Sequence, residues 1–210
     1  MSPAIVLASG SPRRREFLER LKLSFIVHTA NIDESPLPGE TPQELVCRLS
    51  RAKAEAVAKY YADSLVIAAD TIVVLDGQIL GKPADVSEAR KMLTCLRGRD
   101  HFVCSAVTIW PKPAPEISTH LDQTTVTMRL YSDAEIEAYI ASDDPMDKAG
   151  AYAIQHSVFT PVARISGCYA GVMGLPLGYL VDGLARFGVT LDQVADLCSS
   201  YSQQRCCLRL

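Results

Sequence analysis

The chain has 210 residues, of which 48% are hydrophobic and 21% charged, with a formal net charge of −3. That length suits one large domain, the balance of residues provides material for a core, and the mild acidity excludes a general electrostatic grip on nucleic acid. The seven cysteines show no CxxC or Cys/His zinc spacing, and no apolar run is long enough to span a membrane.

Taken in chain order, strands and helices alternate. Residues 4–8 read as a short buried strand, followed by a helix over 12–21 with Ser11 and Pro12 at its cap and first position. Arg13, Arg14 and Arg15 then fall in the first turn, where the macrodipole is positive and each charge costs roughly 0.3–1 kcal/mol. With Ser9-Gly10-Ser11 ahead of it, this turn is either an anion site or a solvated basic turn offset by Glu16 and Glu19. A second strand is expected over 25–29.

Thr41-Pro42-Gln43-Glu44 is a capping box opening a helix of about 18 residues. Leu45, Val46, Leu49 and Ala56 define its apolar face, and Lys53 falls inside that face. Such a lysine either snorkels out or points at an anionic partner in a cleft. Residues 64–69 form an apolar strand ending at Asp70, a position where α/β folds place ligand-binding groups. Asp70 there is a candidate cation ligand or base, or an ordinary turn aspartate.

Ile72 to Ile79 reads as a hairpin around Asp76-Gly77, with Lys82-Pro83 just beyond. Ser87 opens a helix closing near Gly98; a strand over 102–110, a proline-rich loop at 111–115 and a strand-like stretch over 118–130 follow. Ser132 to Glu135 is another capping box, starting a helix to about Ser142. In Asp147-Lys148-Ala149-Gly150-Ala151-Tyr152-Ala153-Ile154-Gln155, small residues permit close backbone approach, and the glutamine amide could read a base edge. A strand near 160–165 and helices over 175–187 and 191–198 complete the chain. The last four residues formally fit C-a-a-X, but Arg209 is not aliphatic and a polar tail is expected. The histidines His28, His101, His120 and His156 form no ligand spacing, and Walker A, G-x-S-x-G and Rossmann patterns are absent. The fold class is α/β with a mixed, twisted sheet and flanking helices.

LASGSPRRREFLERL (7–21), CRLSRAKA (47–54), AADTIVVLDGQILGKPAD (68–85), GRDHFVCSAVTI (98–109), DKAGAYAIQ (147–155) and GVMGLPL (171–177) together resemble the Maf family of nucleoside triphosphate pyrophosphatases. The resemblance covers nearly the whole chain. It implies one domain over 1–200, built as two lobes around a deep nucleotide cleft, with a polar tail over 201–210. It also implies cleavage between the α- and β-phosphates, a divalent cation such as Mg²⁺ or Mn²⁺, a cytoplasmic setting and no nucleic-acid or membrane partner, with homodimerisation open. By motif, Ser9, Arg14, Lys53, Lys82 and Lys148 would bind phosphates. Asp70 would accept the proton of the attacking water, and Glu34 would help it hold the metal.

Arg13, Thr71 and Gln155 stand at the family's base-selecting positions and match its dTTP/UTP subgroup rather than the one preferring methylated guanosine triphosphate. Ala153 and His156 replace glycines usual in the family. Ser157-Val158-Phe159 replaces a glycine-rich turn, and the asparagine common near Gly171 is missing. These departures bear on the base pocket. The rival expectations are a nucleotide-binding protein that regulates septation without turnover and a phosphohydrolase releasing orthophosphate from the γ position.

Overall fold

In a computed structural model that describes residues 3–111, 116–191 and 194–201, the chain forms one seven-stranded mixed sheet with helices on both faces. Most of the proline-rich loop and nearly all of the C-terminal tail, with its C-a-a-X sequence, lie outside the described residues.

The elements are β1 (Ala4–Leu7), α1 (Pro12–Arg20), β2 (Phe25–Val27), α2 (Pro42–Ala58), β3 (Ser64–Leu75), β4 (Gln78–Leu80), α3 (Val86–Leu96), β5 (Asp100–Pro111), β6 (Ser118–Met128), α4 (Asp133–Ile140), β7 (Val162–Ser166), α5 (Tyr169–Val172), α6 (Leu177–Ala185) and α7 (Val194–Tyr201). Two short 3₁₀ turns, Asp144–Asp147 and Ala149–Ala151, follow α4. Strand order is β2-β1-β3-β5-β6-β7, with β4 beside β3. Both neighbours of β1 run parallel to it; every other pairing is antiparallel.

Both capping boxes form, with Thr41 and Glu44 at the head of α2 and Ser132 and Glu135 at the head of α4. The hairpin turns at Asp76-Gly77 with both residues at positive φ (51° and 78°), the two-residue geometry that matches strand twist. One helix start needs correction. The cap of α3 is Asp85, whose carboxylate accepts from the Glu88 N–H, so Ser87 lies inside the first turn. The helix expected over 175–187 is present as α6, and the short α5 before it is an addition to the expected elements.

The larger correction concerns β3. It does not stop at Asp70; it runs on to Leu75, because β5 pairs with it from Leu65 to Val74. What stops is its other neighbour. On that side β1 pairs with residues 64–67 and β4 with residues 73–75. Residues 68–72 therefore have no strand partner on one side, and Asp70 lies in this gap.

Alternation along β3 then sorts the core. Leu65, Ile67 and Ala69 join a cluster with Phe17, Leu18, Leu177 and Leu180 of α1 and α6. Val73 and Leu75 on the same face join a separate cluster with Leu93, Val103, Ile136 and Tyr139, built on α3 and α4. Thr71 sits between the two. On the opposite face, Val66, Ala68, Ile72 and Val74 pack with residues of α2. The cleft opens between the two clusters, at the gap in the sheet.

Candidate active site

A cavity of about 470 Å³ occupies this gap. All ten candidate residues line it: Ser9, Arg13, Arg14, Glu34, Lys53, Asp70, Thr71, Lys82, Lys148 and Gln155. They come from the β1–α1 turn, α1, α2, β3 and three loops, so segments far apart in the chain converge on one site.

Lys53 does not snorkel. Its side chain is 12% exposed, and its ammonium lies 2.6 Å from Asp70 Oδ1 and 2.9 Å from Glu34 Oε1. Asp70 belongs to the α2 face of β3, as Lys53 belongs to the apolar face of α2. The aspartate is 6% exposed, and its Oδ2 has no protein hydrogen bond among the described residues. One carboxylate oxygen is thus fixed by an ammonium while the other is free for water.

Arg14 explains a charge at the wrong end of a helix. Its Nε donates to the Gly174 carbonyl at 2.8 Å, Nη1 to Ser9 Oγ at 3.1 Å and Nη2 to Thr71 Oγ1 at 3.3 Å. Three of the five guanidinium donors tie the first turn, β3 and the α5–α6 connection together, leaving two for a ligand. Burial pushes the Arg14 guanidinium below its ordinary value and Arg13 pushes the same way; Asp70 and Glu34 oppose them. Gly174 has φ +112°, a conformation that L side chains rarely adopt, and this turns its carbonyl to Arg14. Ser11 occupies the N-cap position without a side-chain cap bond; its N–H donates instead to Ser9 Oγ at 3.2 Å. Arg15 is exposed and does not line the cavity.

Thr71 belongs to a hydroxyl chain that sequence reading missed. Ser105 Oγ donates to the Gly171 carbonyl at 2.6 Å, so its single proton is spent, and the 2.9 Å contact between Thr71 and Ser105 makes Thr71 the donor. Thr71 then accepts from Arg14. In this arrangement its proton goes to Ser105 and its oxygen receives the guanidinium.

Lys148 is held by its neighbour Asp147 and by Asp144, an acid outside the motif. Its ammonium lies 2.5 Å from the Asp144 carbonyl, 3.0 Å from Asp144 Oδ1 and 2.6 Å from Asp147 Oδ1. Those contacts use all three of its donors. Gly150 brings this segment against β3: its φ is 70°, a Cβ there would stand 3.1 Å from Val73, and its N–H donates to the Gly81 carbonyl beside Lys82. Lys82 and Gln155 are exposed at the cavity wall.

Beneath the site, Tyr152 lines the cavity and its hydroxyl lies 2.8 Å from His101 Nε2. His101 is buried, its Nδ1 has no partner among the described residues, and burial pushes its pKa down to about 4. Between about pH 6.5 and 4 the unfolded chain binds a proton that the folded chain refuses, so stability falls as pH drops through this window. We expect this histidine to remove about 2 kcal/mol of unfolding free energy between pH 7.5 and 5. Urea titrations at both pH values, beside His101→Gln, check it: the variant loses that part of the pH slope, and an unchanged slope refutes the assignment.

Among the described residues, no group of three or more His, Cys, Asp or Glu side chains forms a metal cluster, and no helix is long and apolar enough to cross a membrane. A divalent cation nevertheless fits the Asp70 and Glu34 pair. The two carboxylates already converge on one positive group, and two hard oxygen donors completed by substrate phosphates are the set that Mg²⁺ accepts.

The family model for Maf-like proteins matches residues 4–187. The dTTP/UTP pyrophosphatase of Pelotomaculum thermopropionicum is 46% identical over 184 residues, covering 88% of this chain and 96% of the relative. That of Moorella thermoacetica is 47% identical over 186 residues, covering 88% and 95%. The Staphylococcus aureus Ham1 protein structure overlaps 60% of this chain and 71% of its own at 18% identity, with a TM-score of 0.44, too low to argue from.

Proposed function

The chain belongs to the Maf family, and from that premise we propose that it is a nucleoside triphosphate pyrophosphatase acting on dTTP and UTP. The observation that carries this reading is the cavity itself. It gathers Arg13, Arg14, Lys53, Lys82 and Lys148 with the carboxylates of Glu34, Asp70 and Asp147, an excess of positive charge that a triphosphate and its cation complete.

The reaction needs positioning and charge neutralisation more than covalent chemistry. Ser9, the two spare Arg14 donors and Lys82 hold the phosphates. Lys53 does so while orienting Asp70. Lys148 joins them by exchanging Asp147, an acid whose side chain is 67% exposed. Asp70 Oδ2 takes a proton from water; the water oxygen bonds to phosphorus, the α–β bridging P–O bond breaks, and pyrophosphate leaves with the bridging electrons. Asp70 and Glu34 would hold a divalent cation, which when bound would supply charge neutralisation on the phosphate oxygens. Gln155 presents a donor and an acceptor, matching the adjacent carbonyl and N–H of a uracil or thymine edge, with Arg13 beside it. The cytoplasm, where the nucleotide pools are, is the setting this activity implies.

The test is a screen of canonical and modified nucleoside triphosphates with Mg²⁺ and Mn²⁺, assayed separately for pyrophosphate and orthophosphate. We expect pyrophosphate, with dTTP and UTP at the head of the series. Orthophosphate as sole product overturns the cleavage site. A preference for methylated guanosine triphosphate overturns the subgroup. Tight binding without turnover under either metal favours the septation-regulating binder.

A further inference from the structure

We infer that Tyr139 is a positioning residue for substrate recognition, its hydroxyl pinning both ends of the cavity wall that carries Lys148 and Gln155. This rests on the nucleotide reading above. Tyr139 is buried on α4 and does not itself line the cavity. Its hydroxyl donates to Asp144 Oδ2 at 2.7 Å and accepts from the Ala153 N–H at 3.0 Å. Burial, then the Asp144 carboxylate, pushes the phenol well above its ordinary range, so it stays protonated and both bonds keep these directions.

Each bond reaches a candidate residue. Asp144 holds Lys148 through its carboxylate and its carbonyl. Burial pushes the Asp144 carboxyl up, but hydrogen bonds from Tyr139 and Lys148 outweigh it, leaving the group below its ordinary range and ionised at neutral pH. Ala153 lies two residues before Gln155. Beyond it, His156 Nδ1 accepts from the Phe159 N–H at 2.9 Å, closing the next turn. Both rings pack on Tyr139: Phe159 stacks at 4.4 Å and His156 meets it edgewise at 4.7 Å. The departures from the family's glycines thus supply an aromatic clamp.

The wall needs an outside restraint. Gly150 and Ala151 both have positive φ, 70° and 58°. For the alanine that conformation is strained and persists only where the surroundings fix it. The Tyr139 hydroxyl is a side-chain link from outside the bend that joins the segment before it to the segment after it.

Tyr139→Phe removes one oxygen and leaves the ring packing. Steady-state kinetics with UTP, with GTP as the purine comparison, should show KM for UTP raised about five- to tenfold, kcat within about twofold, and a narrowed preference for UTP. Amide exchange should quicken over residues 148–155. Tyr131→Phe is the control, a buried phenol whose hydroxyl bonds the Leu93 carbonyl away from the cavity; it should leave KM and preference unchanged. Wild-type KM and preference in Tyr139→Phe overturn the inference. Absence of turnover in the wild-type enzyme overturns the nucleotide reading instead. Exchange then decides the clamp: lost protection at Ala153 supports it and unchanged protection rejects it.

Discussion

Asp70→Asn should reduce pyrophosphate release by about 10²–10⁴-fold in kcat, the range for a positioned general base. The substitution is close to isosteric. Its amide oxygen still accepts from Lys53, and Lys53 keeps Glu34 at 2.9 Å. What disappears is the acceptor for the water proton at Oδ2 and one of two carboxylates facing the cation. Nucleotide affinity should change much less than kcat, because the phosphate-facing cations are untouched. Circular dichroism and a thermal melt should show a folded variant. Full activity in that folded variant would remove Asp70 from the chemistry.

Arg14→Ala should be the most damaging of the phosphate-site substitutions, because it acts on structure and chemistry together. The truncation deletes three hydrogen bonds from a charged group and leaves the Gly174 carbonyl, Ser9 and Thr71 short of a partner. Bonds to charged groups contribute about 1.5–3 kcal/mol each, and partial rehydration from the cavity recovers part of the sum. A net loss of about 2–4 kcal/mol is expected, or roughly 5–12 °C in Tm for a chain of this size. The value of kcat/KM should fall about 10²–10³-fold as the anchor for the triphosphate goes. Arg14→Lys separates the two effects: it keeps the positive charge and loses the planar fork that reaches three partners. If Arg14→Lys matches wild type in both Tm and kcat/KM, the fork is dispensable and the tether described above is wrong. Arg15→Ala, one residue on and exposed, should change neither quantity measurably.

The sequence by itself determined a large part of this protein. Local signals placed the elements, because a capping box, a proline at a first helical turn and a two-residue Asp-Gly turn act through neighbours in the chain. The motif series pointed to the family and to ten residues that do line one cavity. Periodicity put Lys53 on the apolar face of α2, though only the fold shows that Asp70 and Glu34 meet it there.

The end of β3 was misjudged because a strand's length depends on its partners. Nothing in residues 64–75 says that β1 stops beside Ile67 while β5 continues, and that difference makes the gap where substrate would sit. The hydroxyl chain from Arg14 through Thr71 and Ser105 to Gly171 spans four distant segments. Tyr139 looks from sequence like one more core aromatic of α4. Its phenol matters only because the loop after α4 folds back with a carboxylate on one side and an amide on the other. Period and propensity report which face a side chain takes and how a turn closes. Which polar atom receives a given proton is decided by long-range packing, where burial penalises every unpartnered group and so selects the pairings.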